Sequence, residues 1–147
     1  MGRSLVVGPR AAVVAAGIAY GVVGLAFSAA DRAASTSEIR FGWRLAAWIV
    51  SGVVFAAHIA YAHLQARLRP SPAATALQAS LGVALGAFVL AVAATVHAVW
   101  VGAGNRSAFG LALVVWPAVT AVPAFVAALV AAAGLTLIRR RVRRRPG

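Results

Sequence analysis

The chain has no cysteine and no lysine, and only two acidic residues, Asp31 and Glu38. Without cysteine there is no disulfide, thiolate metal site, thiol nucleophile or CxxC redox pair. Without lysine, Schiff-base chemistry is excluded. Both carboxylates fall in one short segment between apolar stretches, so no apolar stretch contains a carboxylate. A proton-coupled multidrug exporter ordinarily needs one inside the membrane, and that class is disfavoured.

What is present is apolar: 63% of the residues are hydrophobic. They gather in four runs, roughly 11–30, 45–64, 77–101 and 109–138. A bilayer core of about 30 Å needs about 20 helical residues, so each run can cross it. The expected fold is an all-α membrane protein, with four transmembrane helices in an up-down-up-down bundle. The reading is one transmembrane domain over 1–138 and a basic cytoplasmic tail over 139–147. The loops are too short for a soluble domain with its own core.

All 14 basic residues are arginines, and the net charge is +12. Six of them, Arg139, Arg140, Arg141, Arg143, Arg144 and Arg145, follow the last run directly. A basic cluster there fits anionic lipid head groups better than nucleic acid. The expected partners are therefore an anionic bilayer and, through helix packing, further copies or another membrane subunit. No nucleic-acid partner is expected. Ten arginines lie on the side of the two termini and the second loop, and four on the other. The positive-inside rule puts both termini in the cytoplasm. Trp43, Trp48 and Trp100 then mark the outer ends of the second and third spans, with Trp116 somewhat deeper. The arginine-rich, Ala/Val-rich composition fits a bacterial inner membrane. Arg3 and Arg10 before an apolar run that ends Ser28-Ala29-Ala30 also have the outline of a cleavable leader. The length of the run and its glycine spacing favour a retained span.

Each run has one inward seam. In the first, Gly17, Gly21, Gly24, Ser28 and Asp31 follow at steps of four and three, a face of small and polar residues that lets backbones approach. In the second, Arg44, Ser51, His58 and Gln65 recur every seven residues. This polar stripe is expected to turn inward, away from lipid. Gly52, Ala56 and Ala60 form a separate small-residue face for another neighbour. The third run offers Gly82, Gly86, Ala93 and His97, and the fourth Trp116, Thr120, Pro123, Ala127, Val130 and Gly134. Asp31 and Arg44 end neighbouring seams, so a weak, exposed ion pair is expected there. Phe41-Gly42 precedes Trp48 at the spacing by which Phe109-Gly110 precedes Trp116, a faint echo read as coincidence.

The fourth run is over-long for a bilayer, about 45 Å at helical rise. Pro117 and Pro123 make it a candidate hinge, together with Thr120. The prolines free the carbonyls of Leu113 and Val119, and the Thr120 hydroxyl is a local candidate partner for them.

His58 and His97 are the ionisable groups well inside the spans. Their depths differ by roughly 15 Å at helical rise, so they cannot ligate one haem. Ser51 and His58 are about 10 Å apart along one helix, too far for a nucleophile–base pair. No enzyme activity, cofactor or metal site is expected. The favoured reading is a non-enzymatic membrane protein acting by helix packing, as a homo-oligomer or a subunit of a complex. The alternative is a small transporter or channel. It would use the Arg44, Ser51, His58, Gln65 stripe and the proline-bearing fourth helix, with His97 as a further polar seam residue.

Overall fold

The computed structural model describes residues 8–65, 71–102 and 106–143. Among these there is no strand. Four α-helices follow one another: α1 Pro9–Ala33, α2 Ser37–Gln65, α3 Pro72–Trp100 and α4 Arg106–Arg143. All four are long and apolar enough to cross a membrane.

α2 and α3 begin ahead of their apolar stretches, and polar residues cap both starts. α2 begins eight residues before its apolar run. There the Ile39 amide donates to the Thr36 hydroxyl at 3.3 Å, occupying an amide that lacks an intrahelical partner. Ser71 caps α3 in the same way, accepting from the Ala74 amide, with Pro72 in the first turn where its missing N–H costs nothing. α3 ends where Gly102 adopts φ +66, a left-handed conformation that favours glycine.

α3 is the hub: it packs most extensively on α4, then on α1, and lightly on α2. α1 and α2 form a hairpin, while α2 and α4 touch only slightly. The α1–α3 crossing is built from glycine. A Cβ at Gly17 would strike Leu85, one at Gly21 would come within 3.1 Å of Val89 Cγ1, and one at Gly24 would strike Leu90. These partners advance together, so α1 and α3 run side by side in the same direction. Gly86 returns the contact, lying beneath Tyr20 and against the Gly17 carbonyl. Close approach of this kind maximises dispersion contacts where lipid removes the hydrophobic drive between helices.

The α1–α2 turn is tied by polar contacts. Arg44 Nε and Nη2 donate to the Asp31 carboxylate at 3.0 and 3.3 Å, the ion pair expected from the seams. Phe27 and Trp43 pack with ring centroids 6.0 Å apart. Arg40 donates to the Ala34 carbonyl, and Arg32 to the Ser28 hydroxyl. Toward the opposite end of the bundle, Ile59, Ala76, Ala79 and Ala128 are buried in one cluster, with Phe55, Phe125 and Leu129 against it.

Two seams differ from expectation. α4 packs through Phe125, Ala128 and Ala132, whereas Trp116, Pro123, Ala127 and Val130 are exposed. Val, Ala and Leu occur all round this helix, so its sequence does not mark the packed side. On α3, Gly82 and Gly86 are buried as expected, but His97, on nearly the same face close to the end of the helix, is exposed. The remaining surface is a belt of exposed Val, Leu, Ile, Phe and Trp, as lipid contact requires.

A candidate binding cleft between α2 and α4

Where α2 and α4 fail to meet, the bundle opens into a cleft of about 610 Å³. Ala47, Trp48, Ser51, Gly52 and Phe55 line it from α2. Trp116, Val119, Thr120, Pro123, Ala124 and Ala127 line it from α4. Tyr20 and Gly24 of α1 and residues of α3 from Val83 to Leu90 complete the wall. These positions lie near the middle of each helix, so the cleft is centred at mid-bundle.

Side-chain size explains the cleft. Gly52 on one wall and Ala124 and Ala127 on the other cannot bridge α2 to α4. A Cβ added at Gly52 would meet nothing within 4 Å. Below Phe55 the gap ends, because Ile59 and Ala128 are buried together with Ala76 and Ala79. At the other end Trp48 is 79% exposed and Trp116 56% exposed, and both line the opening. The two halves of the sequence echo thus converge on one place.

The polar stripe of α2 is not a continuous path. Arg44 is exposed and paired with Asp31. Ser51 reaches the cleft wall. His58 is only 7% exposed and is wedged at the junction of three helices: a Cβ at Gly82 would lie 3.1 Å from His58 Cε1 and 3.2 Å from Ala16 Cβ. Neither imidazole nitrogen has a hydrogen-bond partner among the described residues. Gln65 closes α2, and its side chain lies outside the described residues. His97 does not join the stripe. His63, in the last turn of α2, is buried at 5% exposure.

Several hydroxyls are already committed to carbonyls of their own helix. Ser80 donates to Leu77, Thr95 to Ala91 and Thr136 to Ala132. Thr120 donates to the Trp116 and Pro117 carbonyls, each at 3.0 Å. It therefore does not serve the carbonyls of Leu113 and Val119, contrary to expectation. A threonine hydroxyl in a helix reaches three or four residues back, and Leu113 is too far and Val119 too near. α4 stays helical through both prolines.

The Tyr20 hydroxyl was not singled out by sequence spacing. It is buried beside the cleft and has no partner among the described residues. Of the basic tail, α4 extends to Arg143 and the Arg141 side chain is exposed. The side chains of Arg139, Arg140, Arg143, Arg144 and Arg145 lie outside the described residues. No group of three or more metal-ligating side chains occurs among the described residues. No family model matches the chain, and no curated protein or solved structure compared with it matches either.

Proposed function

We propose that this chain is a non-enzymatic multi-pass membrane protein that acts by helix packing, as a homo-oligomer or as a subunit of a larger membrane complex. In this reading the helices thread the bilayer up-down-up-down with both termini in the cytoplasm of a bacterial cell, and the arginine tail lies against anionic head groups. The observation that supports it best is the outer face of α2. Gly52 of the small-residue face lines the cleft, but Ala56 and Ala60 lie beyond it, both exposed and one helical turn apart. The same kind of small-residue face on α1 is fully used against α3. Such a face lets a second helix come close, and it wastes packing if lipid alone covers it.

The test is self-association in a bilayer, read by single-molecule photobleaching or energy transfer between labelled copies, together with co-purification from native membranes. Ala56→Phe and Ala60→Phe should abolish self-association or the capture of a defined membrane partner while leaving helicity intact. Association and capture unchanged in both variants would reject the reading.

The alternative, a small transporter or channel, draws support from the cleft, which Thr120 and Pro123 of α4 line. Against it weighs the position of His58, enclosed by α1 and α3 rather than connected to Ser51. Solute or proton flux in liposomes that disappears in a folded His58→Phe variant would favour the alternative.

A further inference from the structure

We infer that the α2–α4 cleft is a lipid-binding site, holding one hydrocarbon chain of a phospholipid from the leaflet on the Asp31–Arg44 side. The choice of occupant follows from the shape of the cleft. It is blind on the side away from Arg44, where the cluster of Ile59, Ala128 and their neighbours fills the space between α2 and α4, and Trp48 and Trp116 flank its other end. From Ala47 to Phe55 the α2 wall is about 12 Å long, and from Trp116 to Ala127 the α4 wall is about 17 Å. Those lengths match the stretch of acyl chain that half of a hydrocarbon core of about 30 Å accommodates. A spanning helix does not fit, because it must continue past the closed end.

The chemistry of the wall agrees. The lining is aliphatic and aromatic except for Ser51, Thr120 and Tyr20. The Thr120 hydroxyl is bonded to its own helix and the Tyr20 hydroxyl is buried behind the surface. A small, mostly apolar concavity of this size suits a single chain. One turn beyond Trp48, on the stripe that includes Ser51, stands Arg44 with 65% of its side chain exposed. It has guanidinium donors in addition to those bonded to Asp31, and a phosphate at the head-group level would accept from them. The chain in the cleft and the phosphate over Arg44 make two attachments. They distinguish a held lipid from one that merely borders the belt.

The experiment is native mass spectrometry of the full chain, purified in mild detergent after reconstitution with a phosphatidylglycerol–phosphatidylethanolamine mixture. Wild type should retain one phospholipid per chain through delipidation that strips the surrounding lipid. Ala127→Phe fills the cleft from α4 and should lower that occupancy roughly tenfold, about 1.4 kcal/mol. Val119→Trp is a second filling variant at an exposed cleft position, used if the first fails to fold. Arg44→Gln should lower retention less and shift it away from phosphatidylglycerol. The inference is overturned if wild type retains no lipid, or if a folded filling variant retains as much. It is also overturned if cross-linkers at Val119 capture a second protein chain instead of lipid. None of these positions belongs to the Ala56–Ala60 face, so lipid retention and self-association can fail independently.

Discussion

Replacing Gly86 by alanine should loosen the α1–α3 crossing more than any other single added methyl group on α3. The new Cβ would overlap Tyr20 Cβ and sit 3.3 Å from the Gly17 carbonyl oxygen. Neither atom is the free end of a flexible side chain; one is fixed to the α1 backbone and the other belongs to it. Rotamer changes therefore cannot relieve the overlap, and the helices must separate by on the order of 1 Å. A gap of that size forfeits a quarter to a half of each affected dispersion contact. The losses extend to the neighbouring pairs, Gly17 on Leu85 and Gly21 on Val89. Overpacking of this kind costs about 1–3 kcal/mol, offset by up to about 1 kcal/mol from the better helix propensity of alanine. A net loss of about 1–2 kcal/mol is expected. Gly110→Ala and Gly134→Ala are the controls, since a Cβ at either position meets nothing within 4 Å. They keep the propensity gain without the overlap and should be neutral or slightly stabilising. Unfolding of the purified chain in mixed detergent–dodecyl sulfate micelles, followed by circular dichroism, reads all three. Equal stability of Gly86→Ala and Gly134→Ala would refute the glycine-built crossing.

Further outcomes follow from other contacts. His58→Phe removes two buried nitrogens without partners and keeps a ring of similar shape, so stability should change by no more than about 1 kcal/mol; a much larger loss would mean that the imidazole makes an essential polar contact. Asp31→Asn breaks an ion pair that solvent already screens, and stability at physiological salt should be unchanged within error in the same assay. Pro123 is exposed on α4, and Pro123→Ala returns an amide donor to the Val119 carbonyl. It should stabilise the helix by about 1–3 kcal/mol without altering assembly, and a destabilised protein would show that the proline serves packing.

The spans were legible because long apolar runs bounded by charge admit little else. The α1 seam was legible for a related reason: Gly17, Gly21, Gly24, Ser28 and Asp31 stand out by size and polarity, and their spacing matches a helix face. It also led to the Asp31–Arg44 pair, since two seam ends on consecutive helices meet at a three-residue turn. α4 was not legible. Its Ala, Val and Leu surround the axis, and the choice of Ala128 and Ala132 over Ala127 and Val130 depends on which side α3 lies. His97 misled because it shares the face of Gly86, while the buried positions of α3 end at Ala91. The cleft could not be read from any one helix. It arises because α1 pairs with α3 through opposed glycines, which leaves α2 and α4 facing one another across small side chains. Its traces in the sequence were Trp116, Thr120, Pro123 and Ala127 at four- and three-residue steps on α4, and Ser51 of the α2 stripe, all of which line it.

The central claim is that these helices cross a bilayer, with the α1–α2 turn on the side opposite to the end of α4. The absence of cysteine makes a direct measurement simple, because single thiols report without background. Ser35→Cys in the turn and Arg141→Cys near the end of α4 are both at exposed positions and would be labelled with a membrane-impermeant maleimide in intact cells and in inverted vesicles. The account predicts labelling of Ser35→Cys from outside the cell and of Arg141→Cys only from the cytoplasmic face. Labelling of both from one side, or of both in chain that fractionates free of membrane, would contradict it.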